Sequence, residues 1–450
     1  MTLKLRSLVP VIVIGLLVST PVFAQNWSFD ARTIGLGGTG DVSNVATDMI
    51  DQERPYGAIV LPFGLLQILP HLDTLNPTKD EFDLVRAIEY AASPLHYILD
   101  RDTTDTGEQF VSDVRNARLS RDLNVYRGFA PRTSVSAEGL ASPTWGKTFK
   151  VRQGGGGAFQ GVYAGAGPYL SMQTAAAIDP ALTAILSSDA PQYRPNSSFS
   201  LGNDTIGQAA LAVTGGYRGR FALPGGGGSS IDGVYIGANF HYLRGFAYES
   251  FDLTGRLDTD NVGLLTVRPA AGAPLAIARE SSSKGQGYAI DVGASAVVNH
   301  WELGVGVNGI ANRIDWEGVE RTSYALDNLF GGGDFLEGPT LIAPDVRVEL
   351  PVDVRANAAY NGEQWTAIAE FGHGFNGTSF RGGYEQRLGR FQLRGGARYV
   401  LEGWEPTGGV GINVGRRLGL DVGAFGTRAN LERTRHLGVA VSLRLMRSES

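Results

Sequence analysis

Cysteine is absent from this sequence, histidine occurs six times, and no apolar run beyond the first 24 residues approaches the length of a membrane helix. Without cysteine there is neither a disulfide framework nor a thiolate metal site. Without about 20 consecutive apolar residues there is no helical span. A formal net charge of −6 lacks the basic excess of a nucleic-acid footprint, so no nucleic-acid partner is expected. Glycine, by contrast, is abundant, with 62 residues, about twice the usual share.

Residues 1–24 read as an export signal. Lys4 and Arg6 supply a positive start, and Leu8 to Val18 an apolar core too short to span. Val22-Phe23-Ala24 is a small-residue cleavage site, so the mature chain is expected to begin at Gln25. An exported chain without a long apolar run can cross a membrane only with strands.

From about residue 144 onward the sequence alternates apolar and polar residues in segments of about ten, punctuated by Gly, Asn and Pro, the signature of a transmembrane barrel. Val352, Val354, Ala356, Ala358 and Tyr360 share one face, and Asp353, Arg355, Asn357 and Ala359 the other. Asn361-Gly362 follows, a strong hairpin signal that sets Tyr360 opposite Glu363. The same alternation runs through Phe380 to Leu388 and Phe391 to Tyr399 around Gly389-Arg390, and on both sides of Asn299-His300. Short links near 153–156, 222–230, 299–300, 361–362, 389–390 and 415–417 alternate with longer ones near 176–207, 256–285, 313–350, 372–379, 401–405 and 428–435. Trp301, Tyr360, Trp365 and Phe391 lie near the short turns, and Tyr288, Phe371, Phe380 and Tyr399 near the long loops, as two interfacial girdles would.

Thirteen strands count back from the C-terminus, and Gly57 to Leu66 makes a fourteenth, the even number such barrels use. The expected fold is all-β, an up-and-down antiparallel transmembrane barrel of about fourteen strands over 57–446, preceded by an N-terminal hatch or plug at 25–56. A helical insertion is expected at about 68–143. There Thr78-Lys79-Asp80-Glu81 is a capping box and Phe82, Val85 and Ile88 have helical spacing up to Pro94, with a second amphipathic stretch from Glu108 to Leu119. These helices are expected to fill the lumen or cap one mouth, or to be a plain insertion.

Gly35-Leu36-Gly37-Gly38-Thr39-Gly40 matches G-x-G-x-x-G, but no strand precedes it and no βαβ unit contains it, so nucleotide binding is not inferred. The glycine runs 154–157 and 225–228 lack a following helix and lysine and read as turns. The ten residues Ala31 to Gly40, just after an export signal, resemble the opening A-R-x-x-G-M/L-G-G-A/T of FadL-like outer-membrane proteins. That group includes long-chain fatty-acid transporters, TraF-type barrels of conjugation systems and PorV-type proteins. Asn76-Pro77, after an insertion, stands where the family has Asn-Pro-Ala soon after the motif. The resemblance implies an outer-membrane barrel of fourteen strands with Ala31, Arg32, Gly35, Gly37, Gly38 and Gly40 in a lumenal plug. It also implies passive uptake or binding of small hydrophobic, fatty-acid-like compounds, or an adaptor role with an envelope protein partner. Outer-membrane lipid is the surrounding partner. Leu329, Phe330, Phe335 and Leu336 are candidates for an apolar capture surface in the loops.

Hairpin register gives the candidate lumen site. Asp353, Glu370, Arg381 and Arg398 are expected in one row across four strands, with Glu385 and Arg394 paired beside it and Asp291 extending it opposite Asn308. On a lipid face each charge would cost about 2–4 kcal/mol at mid-depth, so all are assigned to the lumen. His241 and His436 fall on strands, but no strong turn sets a Ser or Asp beside them. His71, His96, His300 and His373 do not cluster. No enzyme, metal or cofactor is therefore expected.

Overall fold

The computed structural model describes residues 30–39, 44–53, 56–61, 63–73, 96–99, 109–110, 113, 118–128, 133–142, 144–223, 231–270, 272–326, 335–374, 377–400, 403–415, 417–427 and 436–446. The 1–24 leader, Gly40, the Thr78–Glu81 capping box with its helix, Leu329 and Phe330 lie outside the described residues. All described strand segments belong to one antiparallel sheet and merge into fourteen passes. Each pass from the second to the fourteenth pairs with its chain neighbour, and the fourteenth with the first; among the described residues the first and second passes do not pair with each other. β1 is Tyr56–Leu61, and β2 comprises Ser134–Ala141 and Trp145–Gln153. β3 is Phe159–Ile178, β4 Ser198–Phe221 and β5 Gly233–Asp258. β6 joins Leu275–Ser282 to Lys284–Val298, and β7 runs through Trp301–Asn308, Arg313–Glu317 and Glu320–Leu326. β8 gathers Phe335–Glu337, Leu341–Ile342, Val346–Val348 and Asp353–Asn361. β9 to β14 are Trp365–Gly374, Gly377–Leu388, Phe391–Val400, Gly403–Val414, Leu418–Thr427 and His436–Met446.

The last strand meets the first, with Tyr56 opposite Met446 through Leu61 opposite Val441. Above that pairing Tyr97–Ile98 takes over the same edge of β14, opposite Val439 and Gly438. An edge strand left bare in lipid would expose unpaired backbone donors and acceptors, which is why the chain ends must find each other. The first strand is shorter than the expected Gly57 to Leu66: it stops at Leu61, and a short helix, Leu65–Ile68, follows.

Alternation separates the two faces of the wall. Leu303, Val305, Phe371, Phe380, Leu393 and Val410 are exposed, while Glu302, Arg355, Glu370, Glu385, Arg394 and Asp421, on the same or adjacent strands, are buried. In water this would be an inside-out protein; in lipid it is the low-energy arrangement. Aromatic chains close both ends of the bare belt. Near the short turns Trp301, Tyr360, Trp365 and Tyr384 contact in series, with centroids 5.1, 4.6 and 6.0 Å apart. Near the opposite ends Phe371, Phe380, Tyr399 and Trp404 do the same at 5.3, 6.4 and 5.5 Å.

The two halves of the barrel differ in height. β9 to β14 have 10 to 12 residues each, about one bilayer crossing. β4 and β5 have 24 and 26. Much of the stretches expected as long links at 176–207, 256–285 and 313–350 is strand, and the expected long links near 372–379 and 401–405 shrink to the gaps Gly374 to Gly377 and Val400 to Gly403. Above the membrane no lipid selects an apolar outer face, so the alternation that marks a span inverts there.

Register shows the inversion. β3 and β4 pair without interruption from Phe159 opposite Arg220 to Ile178 opposite Leu201, so each face keeps its side along both strands. Leu211, Val213 and Tyr217 are bare on the outer face of β4, yet Phe199, on that same face higher up, is 1% exposed. It is buried with Leu253 and Leu257 of β5 under the helix Pro180–Leu186 and Phe110, Leu119, Leu123 and Tyr126. Residues 118–128 of the helical insertion thus cover the outer flank of the strands that rise above the membrane, whereas Ile98 packs on the inner face with Ala31, Ile34, Phe425 and Ala440. The inner face at that height, with Asp204 and Asp252 directly opposite each other, is open to solvent.

Candidate functional site: the plugged lumen

Two helices of the N-terminal segment press against opposite parts of the wall. α1 (Ala31–Gly35) begins at Asp30, whose Oδ2 accepts from the Thr33 N–H at 3.3 Å, a helix N-cap. It ends because Gly37 and Gly38 adopt φ of 81° and 74°, a conformation favouring glycine, and the Gly38 N–H returns to the Thr33 carbonyl at 2.8 Å. α2 (Val45–Glu53) starts with Asn44 Oδ1 accepting from the N–H groups of Ala46 and Thr47 at 2.8 and 3.1 Å.

Glycines in the wall let both helices approach at backbone distance. A Cβ at Gly396 would lie 2.7 Å from the Gly37 nitrogen, and one at Gly383 would enter the Leu36 carbonyl. Across the lumen a Cβ at Gly237 would lie 2.5 Å from Val45 Cγ1, and one at Gly293 2.5 Å from Asn44 Oδ1. Polar contacts add direction. Gly37 N–H donates to Thr407 Oγ1 at 3.0 Å, Arg381 Nη1 donates to the Gly38 carbonyl at 2.9 Å, and Thr47 and Ser295 hydroxyls meet at 3.2 Å.

The charged residues of the wall form linked chains. Arg32 of α1 bonds Glu385 at 2.9 Å, Glu385 bonds Arg394 at 2.8 Å, Arg394 bonds Asp421 at 2.8 Å, and Asp421 faces Arg444 at 3.5 Å. A second chain runs Asp353, Arg355, Glu370, Arg381 at 2.8, 3.2 and 3.6 Å. Arg398 pairs with Glu405 at 2.7 Å. Side chains such as Arg394 and Arg355 are buried, and each bridges two carboxylates. Buried charge survives only when so compensated.

The register differs from the sequence expectation at one turn. Asn361 pairs with Thr366, so the link is four residues rather than two, and Glu370 stands opposite Asn357 instead of Asp353. The slip is even, so every side chain keeps its face. Arg355 then joins the two carboxylates that were expected to be direct neighbours. The pairings Glu370–Arg381, Arg381–Arg398 and Glu385–Arg394 occur as anticipated, although Arg398 turns to Glu405. The 299–300 turn sets Trp301 opposite Val298, and the Gly309 N–H donates to Asp291 Oδ1 at 2.7 Å.

Asp291 belongs to a different group from the row. His241 Nε2 lies 2.8 Å from its Oδ2, and His241 Nδ1 lies 2.7 Å from Thr214 Oγ1. Sequence reasoning found no partner for His241, because the glycine-rich link between β4 and β5 sets no register. A hydroxyl, an imidazole and a carboxylate in series resemble a hydrolytic triad, but Thr214 is only 2% exposed. A nucleophile must reach its substrate. The trio is a strut across β4, β5 and β6. Glu405, Asp421 and Arg444 were also missed. Each occupies the polar parity of a strand already recognised, so extending the alternation to β12–β14 finds them.

The inner face of β5 orders the lumen from the short-turn end outward. Tyr235 is buried against α2, Gly237 receives Val45, and Asn239 and His241 are polar. Leu243 then enters an apolar layer with Tyr169, Tyr248, Ile314, Trp316 and Leu140. Trp316 is fully buried. It stacks on Tyr248 at 5.5 Å and donates its indole N–H to Gln208 at 2.8 Å. A Cβ at Gly245 would lie 2.5 Å from its ring.

No family model matches the sequence, and no curated protein does. Solved structures do. The toluene transporter TbuX of Ralstonia pickettii is similar at 11% identity and TM-score 0.34, over 70% of this chain and 87% of that one. The toluene transporter TodX of Pseudomonas putida is similar at 12% identity and TM-score 0.30, over 69% and 86%. The monoaromatic hydrocarbon channel CymD is similar at 10% identity and TM-score 0.33, over 80% and 96%. These are hydrocarbon-transporting outer-membrane channels of the FadL family. At such identities and TM-scores the barrel stands on its own strand pairing, and the likeness adds no weight to it.

Proposed function

We propose that this outer-membrane barrel admits small hydrophobic compounds passively, from the open vestibule of β3–β7 to the plugged lumen. One observation carries the reading: the apolar layer around Trp316 lies across the inner face between a solvent-exposed polar vestibule and a polar, ion-paired plug. Water-soluble solutes gain nothing there, whereas an uncharged hydrophobic solute replaces contacts the layer already makes. Monoaromatic hydrocarbons, which the similar channels carry by name, and fatty-acid-like compounds, which the opening motif suggests, are the two substrate classes to try. Passage requires the plug to shift, since Arg32 and Gly38 are bonded to the wall.

Uptake of radiolabelled toluene and of oleate by cells carrying the barrel tests this directly. The wild type should accelerate one or both, and Trp316→Ala should change that rate while leaving barrel assembly intact. Equal uptake with and without the barrel contradicts the reading. The reading also takes residues 1–24 as a cleaved export signal, so the mature protein should begin at Gln25 by N-terminal sequencing.

A second reading has its own support. The glycine cradles fix the plug by its backbone on both walls, which suits an adaptor whose lumen never opens. Stoichiometric co-purification of an envelope protein, with no bound hydrocarbon or fatty acid, favours it.

A further inference from the structure

On the outer face of β5 to β7 the lipid-facing surface ends abruptly. Phe240 and Tyr242 are 51% and 46% exposed, and Tyr242 stands opposite Tyr288, which stands opposite Arg313. One row higher the outward residues are Arg244, Gln286, Asp315 and Arg347, each opposite the next. Another row up are Lys284 and Glu317. Apart from Phe246, which the strand bulge above Arg244 leaves 42% exposed, the change from aromatic to ionic takes a single row, which places the water–lipid boundary there.

Cations at this boundary are unevenly matched. Arg313 and Arg347 share Asp315 at 3.4 and 2.6 Å, and Arg313 also lies over the Tyr288 ring at 5.2 Å. Glu317 faces Lys284 across the strand pair without an ion pair within 4.0 Å, and Glu349 lies outward beside Arg347. Arg244 and Lys284 are exposed and have no ion pair among the described residues. A guanidinium and an ammonium left open, beside an aromatic band that fixes their depth, match phosphate groups carried at the depth of lipid headgroups.

We propose that Arg244 and Lys284, with Arg313 beside them, bind the phosphates of an anionic glycolipid in the outer leaflet. The apolar surface below them, Tyr242 and Phe240, would contact its acyl chains. The site is on the outside of the barrel and is independent of what the lumen carries.

The test uses the full-length mature barrel in detergent, incubated with bisphosphorylated lipid A and analysed by native mass spectrometry. Arg244→Gln/Lys284→Gln removes two exposed charges, and its folding is checked by heat-modifiable gel mobility. Lys150→Gln, which removes an exposed charge from the inner face of β2, is the control. The proposal expects at least a fivefold loss of bound lipid in the double variant, none in the control, and equally weak binding of dephosphorylated lipid A to the wild type. Equal retention by the double variant overturns it. So does equal binding of the dephosphorylated lipid, or occupancy by millimolar inorganic phosphate without lipid A.

Discussion

Arg32 and Glu385 are 353 positions apart and meet through two hydrogen bonds, Nε to Oε2 at 2.9 Å and Nη2 to Oε1 at 3.2 Å. One residue belongs to the plug and the other to the wall, so this fork is a latch between them. Arg32→Ala leaves Glu385 paired with Arg394, so no charge is stranded and the loss should be about 1–3 kcal/mol of plug docking. Single barrels in planar bilayers should then show ion-conducting openings more frequent than wild type. Arg32→Lys, which cannot reproduce the fork, should fall between them. Unchanged conductance in Arg32→Ala would show that the latch holds nothing.

Gly396 and Gly395 are neighbours on β11 with opposite surroundings. A Cβ at Gly396 would lie 2.7 Å from the Gly37 nitrogen, while one at Gly395 meets nothing within 4 Å. Gly396→Ala should raise hydrogen exchange in residues 31–39 at least tenfold and Gly395→Ala should not. Equal effects would mean that β-strand propensity, not plug contact, sets the response.

The flank above the membrane is held like a soluble protein. Leu257 is fully buried there with Phe199, Leu182 and Leu265. Leu257→Ala should cost about 2–5 kcal/mol locally. It should expose residues 118–128 and 180–197 to protease while conductance stays at the wild-type level. A conductance change would mean that the flank is coupled to the lumen.

Acid should loosen the same flank. Burial raises the Asp122 pKa, but the side chain and N–H of Asn124 and the Tyr193 hydroxyl donate to its carboxylate and hold it below the ordinary value. A depressed folded value means the link is fully present above the unfolded pKa of about 4 and is lost as pH falls through the lower folded value. Pepsin cleavage within 118–128 should rise as pH falls from 4 toward 2, and Asp122→Asn should remove most of that difference. An identical pH profile in the variant would remove Asp122 from the explanation.

How much of this was legible beforehand depends on which solvent selected the residues. In β8 to β14 lipid demands an apolar outer face, and the period-two pattern of Asp353 to Tyr360 or Phe391 to Tyr399 placed each residue on its observed side. The four-residue link at 362–365 did no harm, because an even slip preserves parity. Above the membrane that selection stops. Phe199, Leu253 and Leu257 then mark a covered outer face, and the stretches holding Phe199 and Leu257 read as loops. Partners far apart in sequence were also invisible. Nothing near His241 announces Thr214 or Asp291, and nothing in Arg32 names Glu385, because those contacts follow from closing the barrel around its own N-terminus.

The central claim is that one parity of each strand faces lipid and the other an interior filled by the plug. The absence of cysteine makes every introduced thiol unique, so spin labels can be placed one at a time at Leu303, Val305 and Leu393, and at Ser295 and Ser442. In reconstituted bilayers the first three should collide with dissolved oxygen readily and with a water-soluble nickel complex rarely, and the last two should be shielded from both. Equal oxygen accessibility at all five positions would contradict the account.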